Sequence, residues 1–110
     1  MNRLSNYEAF KRNGILLEFI KEHKGKENIV TSEQIADFLN AKGYKTDRQY
    51  VHYLVNAVMY ERHAPICYFN TKGYYWASNR AEIENTIADL ERRKAALQEH
   101  INHLKNFIIE

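Results

Sequence analysis

The sequence predicts a mainly α-helical head closed by a small β-hairpin, spanning residues 1–78, followed by a single long helix over 79–110. Three observations lead there. Polar capping residues precede three apolar stripes of helical period between Ser5 and Arg62. Two clusters of strand formers flank Asn70-Thr71-Lys72-Gly73, a loop with the glycine that a hairpin needs. The composition then changes. Seven of the eight tyrosines lie between Tyr44 and Tyr75, whereas after Ser78 there is one aromatic residue, Phe107, and neither glycine nor proline.

The first helix is expected over roughly Asn6–His23, with Phe10, Leu16, Leu17, Phe19 and Ile20 on one broad face. Ser5 and Glu8 have capping-box spacing, although Gly14 weakens the helix and offers a second start near Ile15. Lys24-Gly25-Lys26 breaks it. Thr31 opens the next helix with Gln34 as its capping partner, and Ile35, Ala36, Phe38 and Leu39 supply the buried stripe. Gly43 is a left-handed stop. Thr46 and Gln49 repeat the start signal for a third helix running to about Arg62, with Val51, Leu54, Val55 and Val58 inward. Pro65 forbids its continuation. Ile66-Cys67-Tyr68-Phe69 and Tyr74-Tyr75-Trp76-Ala77 follow as strands, and Asn28-Ile29-Val30 is a candidate third strand.

Composition narrows the class. The chain of 110 residues has room for one compact domain, or a small domain with an appendage. Its 45% hydrophobic and 27% charged residues are those of a folding chain. A net charge of +2 announces no strongly basic surface. The one cysteine, Cys67, excludes an internal disulfide and a cysteine-rich zinc site, and reads as a small packing residue. No apolar run is long enough for a transmembrane span, and Met1-Asn2-Arg3-Leu4-Ser5-Asn6 lacks the apolar core of a secretion signal. A soluble, cytoplasmic setting is therefore expected.

Two short capped helices joined by a glycine-containing turn form the helix-turn-helix pattern, and a following hairpin makes the order that of a winged helix. At this point the stretch from about Thr31 to Ala77 resembles bacterial winged helix-turn-helix domains of the biotin-operon-repressor type. The residues that carry the resemblance are Pro65-Ile66 and Lys72-Gly73-Tyr74-Tyr75, which are also similar to wings of small prophage-encoded proteins. The resemblance implies a winged-helix fold and double-stranded DNA as partner. It departs from strong DNA-binding wings in offering one basic loop residue, Lys72. In architecture alone, the head plus long helix resembles the replication terminator protein and phenolic-acid-type repressors.

In a helix-turn-helix the second helix leads into the major groove with its N-terminal half. Opposite the inward residues of the third helix, periodicity places Arg48, Gln49, His52, Tyr53 and Asn56. Arg suits guanine, and Gln or Asn suits adenine. Tyr44, Lys45, Thr46 and Lys72, with backbone N–H groups at the helix start, are candidates for phosphate contacts. Tyr44 to Arg80 carries five Lys+Arg against two Asp+Glu, a local +3 in a chain whose remainder is −1. The alternative is that these are ordinary outer-face polar residues, or that the fold serves as a protein-interaction module. Asp47 would repel phosphate. Tyr50, Tyr53, Tyr60, Tyr68, Tyr74 and Tyr75 read as packing in the cleft between the third helix and the hairpin, with a protein-contact patch as the alternative.

Asn79 with Glu82, or Ser78 just before, caps the last helix. Ile83, Ile87, Leu90, Leu97, Ile101, Leu104 and Ile108 alternate four and three apart, with Lys94 filling the one gap. This is a heptad seam. It predicts a homodimer through a coiled coil; packing against the chain's own head is the alternative. An antiparallel pair is favoured, because it matches 87 with 104, 90 with 101, 94 with 97 and 83 with 108, and sets Glu84 near Lys105 of the partner. A parallel pair would stack Lys94 on Lys94. About thirty helical residues span about 45 Å, which would hold two heads one or more DNA turns apart. Phe107-Ile108-Ile109 is left to pack on the partner's head.

No glycine-rich phosphate loop and no Gly-x-Ser-x-Gly occurs. His100 and His103 lie one turn apart, without a carboxylate or cysteine to complete a metal set. No catalytic residues, cofactor or metal are expected. The function expected is that of a dimeric DNA binder, a small transcriptional regulator or an accessory protein of a phage or mobile element. A host protein is the alternative partner.

Overall fold

The structure, a computed structural model, describes residues 4–69 and 72–108. The hairpin-loop residues Asn70 and Thr71, the start Met1-Asn2-Arg3 and the near-terminal Ile109 lie outside the described residues. The architecture is mainly helical, with one two-stranded antiparallel hairpin and a long C-terminal helix.

Helix α1 spans Asn6–Lys21 and opens on the full Ser5/Glu8 capping box. It runs straight through Gly14. The start near Ile15 is not taken, because the box satisfies first-turn donors while fully buried Leu16 and Ile20 anchor the helix beyond the glycine. Phe10 departs from the expected inward face: it is 63% exposed, with the Arg62 guanidinium 4.4 Å from its ring centre. The first turns of α1 run past the edge of the core.

Helix α2, Ser32–Ala41, carries the expected Thr31/Gln34 capping box. Gly43 ends it at φ +93°, with the Gly43 N–H on the Asn40 carbonyl and the Tyr44 N–H on the Leu39 carbonyl. These are the paired bonds of a Schellman stop. Helix α3 spans Arg48–Glu61. Its cap is Asp47, one residue later than Thr46: Asp47 Oδ1 accepts the Tyr50 N–H at 2.8 Å. Thr46 is held by Asn40, whose Oδ1 takes its N–H at 2.9 Å and whose Nδ2 donates to its carbonyl at 3.0 Å. One α2 side chain thus braces the whole turn between α2 and α3.

Strands β1 (Ile66–Tyr68) and β2 (Tyr74–Trp76) pair antiparallel, with Cys67 opposite Tyr75. The expected third strand shrinks to one bridge, in which Val30 and Tyr74 exchange N–H···O bonds of 2.8 and 2.9 Å. Just before it, Gly25 donates to the Trp76 carbonyl and Trp76 to that of His23. The segment 23–30 therefore covers the free edge of β2. Gly73 makes the approach possible: a Cβ there would lie 2.3 Å from the Val30 carbonyl oxygen.

Leu16, Ile20, Ile35, Leu39, Val51, Leu54, Val55 and Val58 form the centre of the core, each at most 1% exposed. Burying such side chains stabilises by about 1.5–3 kcal/mol apiece before chain entropy is counted. Tyr74 and Ile66 close it from the hairpin.

Helix α4 spans Arg80–Lys105, with Asn79 as its cap, accepting the Glu82 N–H at 2.9 Å. It has no buried residue. Its first turn is clasped to the head. The Glu82 carboxylate takes the Ser78 N–H at 2.8 Å, the Ser78 hydroxyl at 2.9 Å and the Lys26 N–H at 2.9 Å. Backbone donation from Ser78, then from Lys26, holds this carboxyl below its ordinary range. The helix stops before the expected last seam residue. Phe107 and Ile108 form a tight turn through N–H bonds to the carbonyls three residues back. Among the described residues no helix is long and apolar enough to cross a membrane.

Candidate functional site

The buried face of α3 fixes where its other side chains stand. Val51, Leu54, Val55 and Val58 point into the core, so Arg48, Gln49 and Tyr53 are turned outward and exposed. Tyr53 is 64% exposed and stacks its ring 5.5 Å from that of half-buried Tyr50. Lys45 is exposed beside the turn, and Thr46 is half-buried.

His52 and Asn56 belong to the flank of α3 that meets the hairpin. His52 Nδ1 lies 2.9 Å from the Tyr74 hydroxyl, and the Tyr68 hydroxyl donates to Asn56 Oδ1 at 2.9 Å. The five residues expected on one open face therefore divide. Arg48, Gln49 and Tyr53 are open, His52 is exposed but tethered, and Asn56 is half-buried under the hairpin. Burial raises the phenols of Tyr68 and Tyr74, which keeps both protonated as hydrogen-bonding groups. Tyr74 and Tyr75 are buried, whereas Tyr53 and Tyr60 are exposed, so the expected tyrosine-lined cleft takes up only part of the set.

The start of α3 also differs from a bare anion site. The Asp47 carboxylate occupies the Tyr50 N–H and places negative charge where a phosphate would approach. Basic groups gather instead at the hairpin. Lys72 Nζ lies 5.3 Å and Lys26 Nζ 4.4 Å from the centre of the Phe69 ring. Lys26 was not among the residues singled out from the sequence, where Lys24-Gly25-Lys26 reads only as a helix breaker. Its place beside the hairpin comes from the pairing of segment 23–30 with β2, of which the sequence pattern offers only the strand candidate Asn28-Ile29-Val30.

A second surface runs along α4. Ile83, Ile87, Leu90, Leu97, Ile101 and Leu104 are all exposed, from 38% at Ile83 to 62% at Leu97. Exposed Ile108 lies in the turn beyond the helix. The half-buried residues of α4 are Glu82, Thr86 and Asp89, one stripe facing the hairpin. Cys67, buried in β1, sits with Sγ 3.8 Å from the Glu82 carbonyl. Among the described residues no three His, Cys, Asp or Glu side chains come together as a metal set.

No protein-family model matches this sequence, and neither a curated protein nor a solved structure matches it.

Proposed function

We propose that the chain is a winged helix-turn-helix protein that binds double-stranded DNA as a homodimer, acting as a small transcriptional regulator or an accessory DNA binder of a phage or mobile element. The observation that carries this reading is the open face of α3. Arg48, Gln49 and Tyr53 stand exposed on a helix whose opposite face is locked into the core. α2 and α3 serve as the helix pair, and the hairpin as the wing. Arg48 reads guanine by a two-point grip, and Gln49 reads adenine. The contact of 2.9 Å between His52 Nδ1 and the Tyr74 hydroxyl fixes the orientation of the imidazole beside the hairpin. Asn56 acts as a positioning residue, because its oxygen anchors the hairpin through Tyr68. Lys26, Lys45 and Lys72 hold phosphates.

The test is a salt titration on duplex DNA. Affinity for random duplex should fall steeply and linearly on a log–log plot as salt rises. Arg48→Ala should weaken specific binding by about 1–3 kcal/mol. Absence of salt-sensitive binding at low ionic strength rejects the reading. Exposed Tyr53 and Tyr60 favour a second reading, a protein-interaction module such as a phage-borne antagonist of a host regulator or nuclease. One stoichiometric protein partner retained at high salt from nuclease-treated lysate would select it.

A further inference from the structure

We infer that the exposed seam of α4 is covered by a second, antiparallel copy of this chain, and that the pair sets its two heads on one side of the coil about one DNA turn apart. The DNA part rests on the proposed function above, and the ligand then becomes a duplex with two inverted half-sites whose centres lie about 10 bp apart.

The occupant follows from layers and charge. The register that sets Ile87 against Leu104, Leu90 against Ile101 and Lys94 against Leu97 of the other copy matches the seam of α4 layer for layer from Ile87 to Leu104. All six of those positions lie within α4, so both symmetry-related sets of layers are helical. The flanks agree. On one side, Glu84 meets Lys105 of the partner at both ends of the coil, joining the Arg80–Glu84 pair already present within the helix. A parallel pair would instead stack Lys94 on Lys94 at the axis.

The side on which the heads emerge follows from the helical angle. Each residue turns a helix by about 100°. The stripe that meets the head, Glu82-Thr86-Asp89, therefore lies about a quarter turn from the seam. It lies toward the flank that carries Thr86, Arg93 and His100. The two-fold axis of an antiparallel pair is perpendicular to the plane of its two helices. A head on that flank is thus carried onto the same side of the plane, not the opposite one. Arg93 and His100 of both copies face that side around the axis, whereas Glu84, Glu91 and Lys105 face the other. Glu82 and Asp89 on the head side are engaged, by the Ser78 and Lys26 N–H groups and by Arg92 and Arg93 respectively.

The spacing follows from helix rise. The head grips α4 around residue 84, through Glu82 and Thr86. In this register residue 84 stands level with residue 107 of the partner. The two points of grip are then separated along the coil by about 23 residues, or about 34 Å, close to the pitch of B-DNA.

Two measurements test this. In the first, Ile87→Cys and Leu104→Cys chains are oxidised separately and mixed, with Cys67 left in place. Each variant alone should stay uncrosslinked, since like positions lie about 25 Å apart in the antiparallel pair. The mixture should give a covalent dimer. Self-crosslinking of either variant alone, or a wild-type monomer by light scattering at micromolar concentration, overturns the pairing. In the second, inverted repeats of a selected half-site are compared at centre spacings of about 10 and 15 bp. Binding should be at least tenfold tighter at the one-turn spacing, and Leu97→Asp should abolish that preference while a single half-site still binds. Equal affinity at both spacings overturns the head placement. A crosslinked dimer with no salt-sensitive duplex binding sinks the DNA ligand and leaves the pairing intact.

Discussion

Helices α3 and α4 carry the same kind of apolar residue at the same kind of spacing, and the fold treats them oppositely. In α3, Val51, Leu54, Val55 and Val58 are at most 1% exposed, because α1, α2 and the hairpin close around them. In α4 the seam stays open, since the half-buried flank is the polar one of Glu82, Thr86 and Asp89. Helical periodicity identifies an apolar stripe but does not say whether its cover comes from the same chain. The contrast between these two stripes is therefore a statement about where the stabilising free energy resides, and substitution can break it or sharpen it.

The largest effect is expected at the centre of the head. Leu54→Ala should cost about 2–5 kcal/mol, the lost transfer free energy plus the cavity left behind. Urea unfolding followed by circular dichroism measures it. A cost below 1 kcal/mol would show that α3 is not seated in the core.

Next come two glycines that the same substitution should move in opposite directions. Gly73→Ala puts a Cβ 2.3 Å from the Val30 carbonyl oxygen, so the hairpin must lift off the 23–30 segment. A loss of about 1–3 kcal/mol is expected from the overpacking. Gly14 sits inside α1 with nothing within 4 Å of its would-be Cβ. Gly14→Ala should stabilise by about 0.5–1 kcal/mol through helix propensity. Thermal unfolding of both variants checks the pair, and equal signs would refute the close packing at Gly73.

These positions also mark how far the sequence was legible. The Ser5/Glu8 and Thr31/Gln34 boxes and the Gly43 stop could be read directly, because capping is chemistry between residues three or four apart. The cap of α3 was misplaced by one residue, since the choice between Thr46 and Asp47 is made by Asn40 reaching across from α2. The division of the candidate site was hidden for a similar reason. Periodicity names the outer face of α3, but Tyr68 and Tyr74 come to Asn56 and His52 from 12 and 22 residues away. Lys26 reaches the hairpin only through pairing with β2. Phe10 has helical spacing yet lies where α1 has outrun the core.

A smaller effect should appear at the joint between the two regions. The Glu82 carboxyl is held below its ordinary value by backbone donors, so it binds its proton less readily folded than unfolded. Its contribution to stability is then present above the unfolded value of about 4.3 and is lost as pH falls through the lower folded value. Stability measured across that acid range should decline less steeply for Glu82→Gln than for wild type. Identical pH profiles would mean that the clasp between α4 and the 24–26 segment does not form in solution.

The smallest effect separates the two stripes most sharply. Leu97 is 62% exposed in the single chain, so Leu97→Ala removes almost no intrachain burial and should change head stability by less than about 0.5 kcal/mol in dilute protein. The loss should grow with concentration if the proposed dimer forms, because association stabilises the folded state by mass action and Leu97 would contribute only there. Leu54→Ala should show the reverse pattern, with a large cost at every concentration. Melting both variants over a hundredfold range of protein concentration reads the difference directly. A concentration-independent loss at Leu97 comparable to that at Leu54 would place the α4 seam against its own head and erase the distinction between the two helices.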